Sequence, residues 1–224
     1  MLHQAGPFLQ LLPIAGARRV DVGLDPGMEE TIESSRRGAY RLVVRADSTA
    51  MPFADASFGS VVSNCVFEHI PDIETTVREI ARVLKPGGRF ACTVVGDHFN
   101  ELLTDEQAWA RLGLSRAHRA YIDWFNRKSV HYRWDSSQTW ADRFRRAGFR
   151  VESWRYYQSP RAARAFHRAH YLSLPHLVAR KLTGKWVPFP ALFDRPFWIR
   201  KYLPFVDEAP PDRGSCIPFV CSLE

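Results

Sequence analysis

Long apolar runs are missing from this chain, and that absence sets the first limit. No stretch of about 18 or more apolar residues occurs, the length a membrane-spanning helix needs. Met1-Leu2-His3-Gln4 lacks the charged and apolar regions of a secretory leader, so the expected location is cytoplasmic. Cysteine is scarce too: Cys65, Cys92, Cys216 and Cys221 show no CxxC or His-rich spacing. No metal is therefore expected, and the thiols read as reduced and mostly buried. Acid is almost absent from one segment. Between Arg161 and Lys201 nine basic residues stand against Asp194 alone, a net of +8 in a chain whose total is +7. The first 160 residues are thus close to neutral, and the basicity belongs to an appendage. No Asn-Pro-Pro-Tyr or comparable base-flipping motif is present, and Pro and bulky apolar residues interrupt the basic segment. Both facts argue against a nucleic-acid partner.

What is present is one domain's worth of alternating strands and helices: 224 residues suffice to bury a sizeable core. Residues 20–25 alternate apolar and polar positions and stop at Pro26-Gly27, as a strand meeting a breaker does. Residues 41–46 form a second strand that delivers Asp47 to its end, and the β-branched run at 60–65 a third. In residues 72–84, Ile73, Val77, Ile80, Ala81 and Leu84 share one face of a helix that starts near Asp72. Lys85-Pro86-Gly87-Gly88 is expected to end it, with Gly as a left-handed cap, before a strand at 89–95. Residues 96–140 are crowded with aromatics, and a helix at 136–147 leads into a strand at 150–156. Residues 216–221 read as a closing strand in which Pro218 fits only an edge or a bulge.

Asp47, Met51-Pro52-Phe53, Asp55-Ala56-Ser57-Phe58 and Asn64 through His69 follow one another without a gap. That order resembles the middle of a class I S-adenosylmethionine-dependent methyltransferase of the type 11 kind, with Gly59 departing from the usual Asp. The Lys-Pro-Gly-Gly turn and the Ala147-Gly148-Phe149 helix end match the same family. The resemblance implies an α/β fold with a Rossmann-like sheet, a helical aromatic-rich insertion and a basic C-terminal appendage. The expected division is 1–160 as methyltransferase core, with a lid at about 96–135, and 161–224 as appendage and final strand of the same domain.

The cofactor implied is S-adenosylmethionine. Asp25 at the end of its strand is the acid for the ribose hydroxyls, with Asp21 a mid-strand rival. Asp47 and the following Ser48 backbone are expected to read adenine, while Asn64 and Cys65 lie against the methionine moiety. His69 stands nearest the methyl group as a candidate base, with His131 and Tyr132 as weaker candidates. The family's first strand and its Asp-x-Gly-x-Gly-x-Gly turn have no counterpart; only Gly6 matches, as the turn's last glycine. Since that strand lies between the second and fourth in the family's sheet, the chain is expected to be a shortened form that binds the cofactor poorly. The resemblance points to methyl transfer onto a small-molecule or lipid-linked acceptor, or else to an inactive binding scaffold of the same fold. Arg161, Arg164 and Arg168 fall on one side of a helix, and rings from Trp186 to Phe205 accompany them. This segment is expected to be a solvated basic face whose rings pack inward, or else to grip an anionic, partly apolar substrate or rest peripherally on the inner face of an anionic membrane. The oligomeric state is left open.

Overall fold

The computed structural model describes residues 20–38, 40–172, 182, 200, 202–205 and 208–224. Gly6 and most of the appendage, including Trp186, Phe189, Phe193, Phe197 and Trp198, lie outside them. In chain order the elements are β1 (Val20–Asp25), α1 (Met28–Arg37), β2 (Tyr40–Arg45), β3 (Phe58–Asn64), a 3-10 turn (Phe67–His69), α2 (Ile73–Val83) and β4 (Leu84–Val95). There follow α3 (Phe99–Leu103), α4 (Glu106–Arg111), α5 (Ser115–Ser129), α6 (Ser137–Arg146), β5 (Phe149–Trp154), α7 (Pro160–Leu172) and β6 (Cys216–Leu223). No helix among the described residues is long and apolar enough to cross a membrane.

The strands form two ladders. One is the parallel pair β1-β2; the other has the order β3-β4-β6-β5, parallel between β3 and β4 and antiparallel thereafter. Among the described residues no ladder joins β1 to β3. The break falls where the family resemblance puts its first strand. Val62, a mid-strand apolar residue, is 76% exposed on β3, the edge strand of the larger sheet.

The core forms on the larger sheet because α2 and α6 each carry one apolar stripe. Ile73, Val77 and Ile80 from α2 and Trp140 and Phe144 from α6 are buried with Phe90, Phe149 and Phe219 of the strands. Asp72 caps α2 by accepting from Thr75 N at 3.1 Å, and Ser136 caps α6 by accepting from Thr139 N at 3.2 Å. The end of α2 differs from the expectation. Leu84 is already extended (φ −79°, ψ 142°), and the left-handed Gly87 (φ 69°) lies three residues on, inside the strand run. Pro86 disfavours helical backbone at Lys85, so the helix has stopped before any glycine is reached.

Pro218 also departs from its expectation, since β6 lies between β4 and β5 and is neither an edge nor its bulged partner. It faces Thr93 of β4, while on the β5 side regular pairing stops at Trp154↔Phe219 and reappears only at the isolated Tyr157↔Cys216 bridge. A residue without an N–H is tolerated at this break in the ladder.

The Met-Pro-Phe turn and its Asp prove to be structural. Arg82 of α2 donates to Glu79 (2.7 and 2.8 Å), to Asp55 (2.8 Å) and to the carbonyls of Met51 (3.0 Å) and Phe53 (2.7 Å). The Arg82 guanidinium holds the Glu79 carboxyl below its ordinary value of 4.5. A lowered folded-state value stabilises the fold above the ordinary value and loses that contribution as pH falls through the lowered one. Thermal melts against pH should therefore show a steeper loss below about 4.5 in the parent than in Arg82→Ala, whose melting temperature is lower at neutral pH. Identical acid limbs would remove Arg82 from this role.

Candidate functional site

The carboxyl ends of parallel strands are where an open α/β sheet binds ligands, and the candidates lie there. Asp25 ends β1, and Asp47 follows β2 by two residues. Backbone and side chain bind these two ends together: Ala46 N donates to Asp25 O (3.2 Å) and Arg45 Nε to Pro26 O (3.2 Å). Asp25 Oδ1 accepts from Gly27 N at 2.7 Å, and Asp47 Oδ1 from Thr49 N and Oγ1, both at 2.8 Å. Both aspartates thus brace their own turns, as Asp in such turns ordinarily does. Pro26, Arg45, Ala46 and Asp47 line a concavity of about 340 Å³. Ser48 Oγ is bonded to Thr76 Oγ1 of α2 at 3.0 Å. That contact brings the end of β2 to the helix that follows β3.

Beyond β3 the chain turns sharply. Asn64 is exposed at the strand end, and Cys65 takes a left-handed conformation (φ 48°) rare for a residue with a side chain. Its N–H bonds Thr93 O at 2.9 Å, and its thiol meets Cys216 and Tyr157; the hydrogen bond with Cys216, and then burial, push the thiol up. The turn at 67–71 is then laced to residues 130–133, across the helical insertion. Tyr132 N donates to Glu68 O (2.8 Å), His69 Nδ1 to Val130 O (3.2 Å), and Arg133 to the carbonyls of Phe67 (2.8 Å), Pro71 (2.8 Å) and Ile70.

This lacing brings Glu68, His69 and His131 together. Glu68 is 2% exposed, its Oε2 has no hydrogen-bond partner, and burial raises its carboxyl to about 7. His69 Nε2 lies 3.9 Å from Glu68 Oε1, and the two imidazole centroids are 5.0 Å apart. Burial, with the neighbouring His69, lowers His131 to about 4, so it is neutral at ordinary pH. Phe99 and Phe125 flank the His131 ring at 5.3 and 6.0 Å.

The lid aromatics divide. Trp109, Tyr121 and Phe125 stack among themselves and on His118 and His167, as a small core does. Trp124, Tyr132 and Trp134 are exposed. Sequence reading had His69 and His131 in view separately. Arg133 and Tyr157 escaped it, and Glu68 entered only as part of the motif; nothing in local spacing marks a partner some 60 residues away.

The acceptor set at the β1 and β2 ends fits the adenosine half of S-adenosylmethionine, with one carboxylate to accept from hydroxyls and a second, whose bonded oxygen is Oδ1, to accept from an amine at Oδ2. Ser48 is committed to Thr76 through its side chain, which leaves its backbone as the candidate contact.

Residues 5–92 match the family described as "Methyltransferase domain". Over 96 residues the chain is 32% identical to malonyl-[acyl-carrier protein] O-methyltransferase of Methylococcus capsulatus, covering 42% of this chain and 34% of that protein. Demethylmenaquinone methyltransferase of Mycolicibacterium paratuberculosis is 32% identical over 127 residues, covering 53% of this chain and 54% of that one. The chain thus spans between a third and a little over half of these relatives. Among solved structures, the [4+2]-cyclase SpnF superposes with a TM-score of 0.55 at 16% identity, over 97% of this chain and 70% of that one, a likeness of fold alone. Motif order and the family match together show a class I S-adenosylmethionine-dependent methyltransferase domain over residues 5–92.

Proposed function

We propose that the protein transfers a methyl group from S-adenosylmethionine to a small-molecule or lipid-linked acceptor. The observation that carries this reading is the placement of Asp25 and Asp47 at adjacent parallel strand ends, tied through Ser48 and Thr76 to α2, the helix that follows the turn carrying His69. When bound, S-adenosylmethionine supplies an electrophilic methyl group on a sulfonium. Asp25 and Asp47 hold the adenosine end by accepting hydrogen bonds; Asn64 and Cys65 face the methionine end, and His69 meets the acceptor. Phe99 and Phe125, over His131, exclude water from that side. Relatives that methylate malonyl-[acyl-carrier protein] and demethylmenaquinone support a small or lipid-linked acceptor.

The finer reading concerns α7. Arg161, Arg164 and Arg168 line one concavity of about 470 Å³ with Pro160, Ala165 and Phe205, and the Arg161 guanidinium sits 5.3 Å over the Phe205 ring. Three cations beside an aromatic wall suit an anionic, partly apolar acceptor. On the other side of α7, His167 bonds the Tyr121 hydroxyl at 2.7 Å and anchors the helix to the lid.

Transfer of tritium from methyl-labelled S-adenosylmethionine to malonyl-[acyl-carrier protein], demethylmenaquinone and neutral analogues tests both readings. Label is expected in an anionic or lipid-linked acceptor, with KM raised about tenfold or more in the triple variant Arg161→Ser/Arg164→Ser/Arg168→Ser and kcat little changed. Cofactor binding without transfer to any acceptor would favour the scaffold. An unchanged KM, with salt-sensitive sedimentation on anionic vesicles lost in the triple variant, would give the arginines to a membrane surface instead.

A further inference from the structure

The Glu68, His69 and His131 side chains each bring one ligand atom to within 4.8 Å of the other two. The surrounding bonds decide which atoms these are. His69 Nδ1 faces the Val130 carbonyl and must donate to it, and His131 Nδ1 faces Asn126 Oδ1 at 3.2 Å. Asn126 is itself oriented, because its Nδ2 donates to Asn100 Oδ1 at 3.0 Å and leaves its oxygen toward His131. A neutral ring protonated at Nδ1 carries its lone pair at Nε2. The usual outer partner of a metal-bound histidine is such a carbonyl or amide oxygen on the other nitrogen. Beside both rings lies a carboxylate that is 2% exposed and has one oxygen without a partner. Leaving such a buried polar atom without a partner is costly.

We propose that Glu68, His69 and His131 form a site for a divalent metal ion of the zinc type, with a coordination position left for water or an acceptor atom. Two imidazoles and one carboxylate are a ligand set of open zinc sites, whereas magnesium and calcium prefer oxygen alone. Bond lengths near 2.0–2.2 Å require the ligand atoms to close by about 1 Å. The lack of CxxC or His-rich spacing led to the expectation of no metal; this site departs from it by drawing on residues 68–69 and 131, which are joined by the lacing across the lid and not by local spacing. An oxygen or sulfur acceptor held on the metal would lose its proton more easily. That service to catalysis rests on the function proposed above, while the binding itself does not.

Calorimetry on the metal-free full chain, without cofactor or acceptor, keeps the two apart. One zinc ion per chain is expected, weakened about a hundredfold or more in Glu68→Gln and His131→Asn and about tenfold to a hundredfold in Asn126→Ala, where the outer partner is lost. Glu68→Gln keeps the side chain's shape and fold, checked by melting temperature, so it decides the matter should His131→Asn unfold. Magnesium should show no comparable heat. Absence of zinc binding, or binding indifferent to Glu68→Gln, overturns the proposal. So does a sulfur-to-metal charge-transfer band with cobalt, which would assign the ion to Cys65 and Cys216.

Discussion

Replacing Arg133 with alanine is expected to lower the free energy of unfolding by about 3 kcal/mol. Its guanidinium is half-buried and donates to three carbonyls, those of Phe67, Ile70 and Pro71, in the turn that carries Glu68 and His69. Bonds to a charged donor contribute about 1.5–3 kcal/mol each, and Pro71 O is exposed enough for water to replace part of the loss. In a chain of this size that corresponds to about 6–12 °C in melting temperature. Lysine keeps the charge but lacks the planar fork that reaches several acceptors, so Arg133→Lys should recover less than half. Chemical denaturation of the three proteins measures the effect. A loss confined to a few tenths of a kcal/mol would mean that the Tyr132–Glu68 and His69–Val130 bonds hold the turn without Arg133.

For cofactor affinity the largest effect is expected from the acids at the strand ends. Asp25→Ala and Asp47→Ala should each weaken S-adenosylmethionine binding about tenfold or more, since a charged acceptor's hydrogen bond is worth about 1.5–3 kcal/mol. The double variant should lose about a hundredfold, because the two carboxylates address different parts of the nucleoside. Each substitution also removes a turn bond, to Gly27 N or to Thr49, so melts without ligand must accompany the calorimetry. Variants that bind as the parent does would leave both acids as turn residues only.

Local patterns carried most of the fold. The stripe of Ile73, Val77 and Ile80 gave α2, Asp72 its start, and Ser136 the cap of α6, because capping and amphipathic burial depend on residues within a few positions. The turn at 51–55 was legible as a motif but not as a staple, since Arg82, which holds it, lies 27 residues beyond Asp55.

The chain's own sequence determined the order of strands and helices, the acids at two strand ends and the methyltransferase resemblance, all of which follow from short-range spacing. Only the tertiary structure decided that Pro218 stands in an interior strand, at a break in pairing with β5. It alone also brought His131 to Glu68 and His69, through hydrogen bonds that cross more than 60 residues. Such contacts follow from how an insertion folds back over a sheet end, and no periodicity in the chain encodes that return.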